Sequence, residues 1–156
     1  MGHAEEALKL FLTNNIAQAS NITEILNKYN IERQDTEKRI YEEAIQKIKE
    51  QGKESNAIVL GGDGWHHGVI GIVASKITDI YHKPTILICF EDDEGKGSGR
   101  SIEGFDLHNA LCKSSKYLEK YGGHEMAVGL SLKKSQFKDF VNTFEEIVRS
   151  EEHTSE

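Results

Sequence analysis

Proline, cysteine and long apolar runs are scarce in this chain of 156 residues, which has one proline and two cysteines. Cys89 and Cys112 lie far apart and form no CxxC pair, which indicates free thiols of a reducing compartment and not a disulfide scaffold. No apolar run approaches the ~18 residues of a membrane span, and the N-terminus lacks the basic-then-apolar pattern of a signal peptide. We therefore expect a cytoplasmic protein without a membrane partner.

Basic residues are also fewer than acidic ones, 19 against 26, so the formal net charge is -7. This balance argues against a nucleic-acid partner, since Lys and Arg supply most of that affinity. The excess acid lies towards the ends, however: residues 61–134 have 10 acidic and 9 basic side chains, and residues 135–156 have 6 and 2. Five of the seven histidines also fall in the central segment. Chemistry or anion contact is therefore expected there.

The first 52 residues follow a helical pattern and contain neither proline nor glycine between positions 3 and 51. The polar "TNN" at 13–15 predicts a break with a new N-cap. A stripe at steps of three and four then runs from Ile16 to Ile48, but its middle holds Asn30, Arg33 and Glu37. Two interpretations stay open: two helices separated near "NKYN", or a helical connector over residues 1–52 whose middle faces another domain.

The pattern then changes to alternating strands and helices, with 37% hydrophobic residues in the whole chain to form a core. The "EDDEGK" stretch predicts a hairpin, so the sheet is expected to be mixed. The fold class is therefore α/β (α+β), a mixed β-sheet with flanking helices preceded by a long N-terminal helical connector. The domain spans 57–149 and is followed by a tail at 150–156. Its expected elements are strand "NAIVLGG", helix 68–82, strands 84–90 and 96–102, helix 106–120, a glycine loop, strand 126–132 and helix 135–149.

Three glycine-bearing motifs mark candidate binding positions. In "GGDGWHHGVIGIVASK" (61–76), glycines end a strand and His66 stands in front of a helix whose free N–H groups form an anion site. Trp65 in this motif fits a packed ring as well as a base-stacking platform. Adjacent histidines point to opposite sides of an extended chain, so no metal site is expected.

The second motif, "GKGSGRSIEGFD" (95–106), combines glycines with one arginine. Gly97 and Gly99 are expected to let backbone approach a ligand, Ser98 and Ser101 offer hydroxyl groups, and Arg100 can hold a phosphate with two parallel N–H bonds. A strand with glycine bulges and an exposed arginine is the alternative.

The third motif, "YGGHEMAVGLSL" (121–132), has one glycine more than a helix C-cap requires. Gly122, Gly123 and His124 therefore suggest close backbone approach to a ligand beside an imidazole donor, although a helix stop followed by a surface histidine also fits. Because loops at strand ends of one sheet often share a ligand, we expect the three motifs to converge on a single site.

In their order and spacing, "WHHGVIGIVASK", "KGSGRSI" and "GGHEMAVG" closely resemble the DHH-associated domain of RecJ-type single-stranded-DNA exonucleases. The preceding segment, with Asn30, Arg33 and Gln34 as "NxxRQ", resembles the connecting segment of that family. The family's catalytic half binds two divalent metal ions (Mn or Mg) through Asp- and His-rich motifs, including the DHH triplet. None of those motifs occurs in this sequence.

The resemblance implies that this chain is the substrate-binding half of an enzyme that removes nucleotides from the 5′ end of single-stranded DNA in repair and recombination. Its partners would be single-stranded DNA and a missing N-terminal DHH catalytic domain. No catalytic residue, metal or cofactor is expected in the chain itself, which should be inactive alone. The residues implied in substrate and phosphate contact, with His66 and His124 also supporting catalysis, are Gly97, Ser98, Gly99, Arg100, Ser101, Gly122, Gly123, His124, Trp65 and His66.

Three other functions stay open. The comparable domain of an oligoribonuclease or cyclic-dinucleotide phosphodiesterase of the same superfamily also has a glycine-rich loop ending in histidine. A non-catalytic module for a nucleotide or protein partner is a second alternative, against which the polar stripe of the connector speaks. A purely structural role is the third, and it gives no reason for the clustering of glycine, arginine and histidine.

Overall fold

The computed structural model describes the backbone of residues 2–52 and 55–154, and the side chains of 4–52 and 55–151. The chain divides into two units, residues 1–35 and 36–156. No helix in these described ranges is both long enough and apolar enough to cross a membrane.

Helix α1 runs without interruption from Gly2 to Gln51, and its part up to Asp35 lies in the first unit. The break predicted at "TNN" is therefore wrong, and of the two open interpretations the single continuous helix is the one found. The hydroxyl of Thr13 donates to the Lys9 carbonyl at 2.8 Å, so a residue expected to start a new helix bonds to the preceding turn instead. Every described side chain from Ala4 to Asp35 is exposed.

The second unit contains a mixed five-stranded sheet, as the sequence predicted. The strand order is β1-β2-β3-β5-β4; β1 is parallel to β2, and the other neighbours are antiparallel. The β2–β3 hairpin is tighter than the "EDDEGK" stretch suggested, because only Asp92 and Asp93 connect the two strands and Asp92 has a φ of 55°. The strands are β1 (Ile58–Asp63), β2 (Thr85–Glu91), β3 (Glu94–Arg100), β4 (Lys120–Gly123) and β5 (Ala127–Lys133).

Three further helices pack on the sheet: α2 (His67–Tyr81), α3 (Leu107–Lys113) and α4 (Phe137–Thr154). The predicted helix over 106–120 was too long, since α3 ends before Ser114, whose buried hydroxyl bonds to the Ala110 carbonyl at 3.0 Å. A 3₁₀ turn then leads into β4, which occupies the predicted glycine loop. Gly122 and Gly123 are strand residues because they pair with Gly129 and Val128 of β5.

Two apolar clusters form the core, one on each face of the sheet. On the first face, β2 and β5 pack under α3 and α4 through residues such as Ile88, Leu130 and Phe140. On the second, α2 and the end of α1 cover β1, β2 and part of β3 through Ile40, Leu60 and others. We call these the α4 side and the α2 side. The helices of the α2 side cover only part of the sheet, which determines where a ligand can reach it.

Candidate functional site

The α2 side of β3, β5 and β4 forms a polar surface, which we call the open face. Burial alternates along β3: its odd-numbered residues point into the α4-side core, and its even-numbered residues point to the α2 side. Register extends this face across β5 and β4, where the corresponding residues are exposed or half-buried. The open face consists of Lys96, Ser98, Arg100, Ala127, Gly129, Ser131, Lys120 and Gly122.

Arg100 lies against helix α2 at the border of the open face. A β-carbon at position 71 would lie 2.7 Å from Arg100 Nη2 and 3.8 Å from Ser98 Cβ, so the bare backbone of Gly71 makes room for the guanidinium. Its Nη1 donates to the Gly99 carbonyl at 2.8 Å. Among the described residues no carboxylate pairs with this side chain. The guanidinium is thus fixed in position and keeps N–H donors for an anion.

The glycines of β3 have a different role from the one predicted. A β-carbon at Gly97 would lie 2.9 Å from Ile88, and one at Gly99 would lie 2.8 Å from Val128. Both positions therefore face the α4-side core, where large side chains of the neighbouring strands fill the space above them. Their direct effect is to pack the sheet, and only the alternate residues of β3 reach the open face.

The two serines of the motif also differ. Ser98 is half-buried on the open face beside Arg100. Ser101 is 6% exposed, and its hydroxyl donates to the Phe105 carbonyl at 2.7 Å. The backbone N–H of Ser101 donates to Met126 O at 2.9 Å. Ser101 thus ties the end of β3 to the β4–β5 hairpin.

The β4–β5 hairpin brings His124 to the same end of the sheet as Arg100. Gly123 has a φ of 128°, and a β-carbon there would collide with the Ala127 carbonyl, so this tight hairpin requires glycine. The exposed His124 ring accepts a bond from the Met126 N–H at Nδ1, at 3.3 Å. Because Nδ1 accepts, the neutral ring has its proton at Nε2, which can donate to a ligand.

His66, at the start of α2, forms the same kind of hydrogen bond, in which the ring accepts from the backbone N–H two residues later. It is the N-cap residue, and its Nδ1 accepts from the Gly68 N–H at 3.1 Å. Its Nε2–H is therefore also available as a donor. Trp65 is 6% exposed, lies on Gly62 and donates through Nε1 to Glu43 at 2.6 Å. Of its two predicted roles, the geometry matches the packed ring.

The three motifs approach the sheet from both ends, and the first and second motifs meet at Gly71, whose position adjoins the Arg100 guanidinium and Ser98. Trp65 and His66 follow the carboxyl end of β1, which is level with the start of β3, because Asp63 pairs with Phe90 and Phe90 with Gly95. Arg100 pairs with Thr85 and Ala127, at the opposite end. The backbone of Arg100 and the His124 hairpin therefore lie together at one end of the sheet, and the loop that holds His66 follows the other end. The Arg100 side chain extends back to Gly71, four residues into α2.

Sequence reasoning missed two basic residues of the open face. Lys96 and Lys120 both pair in register with Ser131, so they share one row across the sheet. Both are exposed, and neither has an ion pair within the described part of the chain. The sequence did contain a signal for them, because polar residues alternate with glycines along β3 and so fall on one face of the strand: Glu94, Lys96, Ser98 and Arg100.

A cavity of about 530 Å³ lies at the His66 end, lined by His66, Cys89, Glu91, Lys96 and others. Burial is the main cause that raises the pKa of the Cys89 thiol, so this group stays protonated near neutral pH. In the described ranges, no three His, Cys, Asp or Glu side chains are grouped to hold a metal ion. These residues therefore do not fit a divalent metal centre.

The chain is similar to exonucleases for single-stranded DNA. The "Single-stranded-DNA-specific exonuclease RecJ" of Bacillus subtilis is 36% identical over 146 residues, which cover 92% of this chain and 19% of that protein. RecJ of Escherichia coli is 36% identical over 149 residues, which cover 26% of its length. The chain thus spans only about a fifth to a quarter of these relatives.

Solved RecJ structures share the fold. An exonuclease RecJ bound to manganese aligns with a TM-score of 0.76 and 33% identity, covering 94% of this chain and 36% of that one. RecJ of Thermus thermophilus in complex with Mg²⁺ aligns with a TM-score of 0.72 and 31% identity, covering 80% of this chain and 19% of that one. Residues 54–150 match the DHHA1 domain. The chain therefore belongs to the DHHA1 domain family, and its DHHA1 domain is of the RecJ type.

Proposed function

We propose that this chain is the substrate-binding part of a single-stranded-DNA-specific exonuclease, and that its open face holds the phosphate groups at the 5′ end of the strand. The observation on which the proposal rests is the Arg100 guanidinium, held against Gly71 beside Ser98 on the open face. An arginine in a fixed position can give a phosphate two parallel charged hydrogen bonds.

His124 is the second phosphate-binding residue in this proposal. Its hairpin is joined to the end of β3 through the Ser101–Met126 bond, and its Nε2–H provides a donor whose direction the Met126 contact fixes. The adjacent Gly122 has no side chain, so the sugar-phosphate backbone of a bound strand can approach the sheet there. His66, at the other end, is placed to contact a nucleotide further along the strand.

The remaining predicted residues shape this site. Gly97 and Gly99 keep β3 close under the core side chains, and Gly123 permits the hairpin. Ser101 joins β3 to the hairpin, and Trp65 fixes the loop before α2 through its bond to Glu43. Each of them sets the position of a residue that contacts DNA.

Hydrolysis belongs to another part of the whole protein. RecJ structures of Thermus thermophilus contain Mg²⁺ or Mn²⁺, and such ions supply the activated water in metal-assisted phosphodiester cleavage. The described residues of this chain hold no group fit to bind them. We infer that the open face positions DNA for a metal-binding DHH domain in the same polypeptide, acting in DNA repair and recombination, and that this chain alone does not cleave DNA.

Residues 1–52 would connect the two domains. The described side chains of the first unit are all exposed, and they include large apolar residues such as Phe11, Ile25 and Leu26. Surfaces of this kind mark interaction sites. We propose that the catalytic domain covers them, with Asn30 and Arg33 as polar contacts.

The test is titration of the chain with a short single-stranded DNA bearing a 5′-phosphate or a 5′-hydroxyl, at low salt. We expect tighter binding of the phosphate form, and Arg100→Gln should remove that preference at a cost of about 1–3 kcal/mol. Arg149→Gln is the matched control, because Arg149 is exposed on α4.

Equal affinity of the wild-type chain for both DNA ends would contradict the proposal, as would an unchanged preference in Arg100→Gln. A short RNA and a cyclic dinucleotide serve as additional ligands. Tighter binding of either would favour an oligoribonuclease or cyclic-dinucleotide phosphodiesterase instead.

A further inference from the structure

We infer that Lys96 and Lys120 form a second phosphate subsite on the open face, so that it binds the strand at two or more successive phosphates. This inference rests on the proposed function, and it adds the part of the DNA beyond the end. Its ligand is the phosphodiester backbone of a single strand.

The register of the sheet defines the spacing. Lys96 lies four residues before Arg100 on β3, which corresponds to ~13 Å along the strand. Lys96 and Lys120 are two strands apart in the same row, which corresponds to ~10 Å across the sheet. These are backbone spacings, and the Arg100 guanidinium extends towards Ser98. Lys120, at the far strand of the row, is thus the cation best separated from an anion held by Arg100, and Lys96 lies between them.

The surface between the two subsites is flat. Its row consists of Ser98, Gly129 and Gly122, which pair in register across β3, β5 and β4. A β-carbon on Gly122 would meet no atom within 4 Å, so the space above it is open. Ser98 is half-buried beside α2, and Gly129 and Gly122 are exposed. A nucleic-acid backbone can therefore pass from Arg100 over the two glycines without meeting a large side chain.

The lysines are also free to bind. Several other lysines of the second unit have carboxylate partners: Lys76 pairs with Glu37, Lys113 with Glu151 and Lys134 with Asp63. Neither Lys96 nor Lys120 has such a pair in the part of the chain that the structure describes. Exposed cations without a partner are those that can exchange counterions for phosphates.

The next row restricts the direction of the strand. Glu91 pairs with Glu94, and Glu94 with Lys133, so this row has more negative than positive charge. Phosphates are repelled there, and the acidic β2–β3 turn follows directly. The charges therefore direct the strand from Arg100 over the glycine row towards Lys120 at the β4 edge.

The experiment measures fluorescence anisotropy of a 5′-phosphorylated decathymidylate with the chain over a series of salt concentrations. For single strands, each neutralised phosphate contributes ~0.7 to the slope of log K against log salt. Lys96→Gln/Lys120→Gln should therefore flatten the slope by ~1.4, without changing the preference for a 5′-phosphate over a 5′-hydroxyl. Arg100→Gln should remove that preference.

Lys138→Gln/Arg149→Gln is the control, since it changes the net charge equally at exposed residues of α4. Thymidine 5′-monophosphate is the second control, because it is too short to reach both subsites, and the lysine variant should bind it like wild type. Circular dichroism melts establish that each variant is folded.

A lysine variant with the slope of the wild type or of the α4 control overturns the subsite. If Arg100→Gln still removes the 5′-phosphate preference in that case, the proposed function stands alone. If the wild-type chain binds neither decathymidylate nor the monophosphate, both proposals fail.

Discussion

Gly71→Ala separates the position of the Arg100 guanidinium from the stability of the fold. The new methyl group would lie 2.7 Å from Arg100 Nη2, well inside the ~3.5 Å of an ordinary contact between heavy atoms. The clash is with the far end of the Arg100 side chain, so the guanidinium is displaced from its position and the helix stays. In a helix interior, alanine is favoured over glycine by up to ~1 kcal/mol.

The expected result has opposite signs for folding and binding. The melting temperature should stay unchanged or rise by a few degrees, since ~1 kcal/mol corresponds to about 2–4 °C in a chain of this size. Affinity for a 5′-phosphorylated single strand should fall by about 5- to 160-fold, because the two parallel N–H bonds are lost, at ~1–3 kcal/mol. Thermal melts and anisotropy titrations measure the two effects on one preparation.

Ile72→Ala is the matched control, because Ile72 is exposed on the same helix. It should leave both the affinity and the end preference unchanged. The reasoning is refuted if Gly71→Ala binds the phosphorylated strand as tightly as wild type. A large fall in melting temperature would show instead that residue 71 is a packing position, with Arg100 a part of the core.

Three more predictions test the roles assigned to buried groups. Trp65→Phe should lower the free energy of unfolding in denaturant by about 1–3 kcal/mol, because the Glu43 carboxylate loses its 2.6 Å donor. An unchanged free energy of unfolding would show that this hydrogen bond does not stabilise the fold. Gly97→Ala should lower the free energy of unfolding by about 1–3 kcal/mol through overpacking against Ile88, and the folded protein should bind DNA with the affinity of wild type. A fully folded variant with reduced affinity would instead support the predicted contact between the Gly97 backbone and the ligand. Burial raises the pKa of the Cys89 thiol, so iodoacetamide at mildly alkaline pH should alkylate it more slowly in the folded chain than in urea; equal rates would contradict the shift.

The sequence predicted the sheet well because its strands follow strong local rules. The buried run before Gly61 predicted β1, and the polar stretch between two strands predicted the β2–β3 hairpin. The glycines at 122 and 123 were misjudged, since glycine is weak evidence for a strand. Pairing with β5 places them in β4, and pairing with another strand leaves no local signal.

The break predicted at "TNN" failed for a related reason. Threonine and asparagine favour helix starts when their side chains accept backbone N–H groups. The Thr13 hydroxyl instead donates to the carbonyl one turn before it, which lets the helix continue. Both arrangements satisfy the hydroxyl, and without glycine or proline at this point the continuous helix keeps all its backbone bonds.

Strand directions determine how far the three motifs can share one end of the sheet. Convergence of loops at one sheet end holds for parallel strands, whose carboxyl ends meet. Here β3 runs antiparallel to β2, so the Arg100 backbone lies at the end away from His66, while its guanidinium extends back to Gly71 of the first motif. Residues along a strand face converge in such a sheet, as Lys96, Ser98 and Arg100 do. The period of two in β3, combined with register, therefore places these three side chains on one face, and the proposed phosphate contacts are expected along that face.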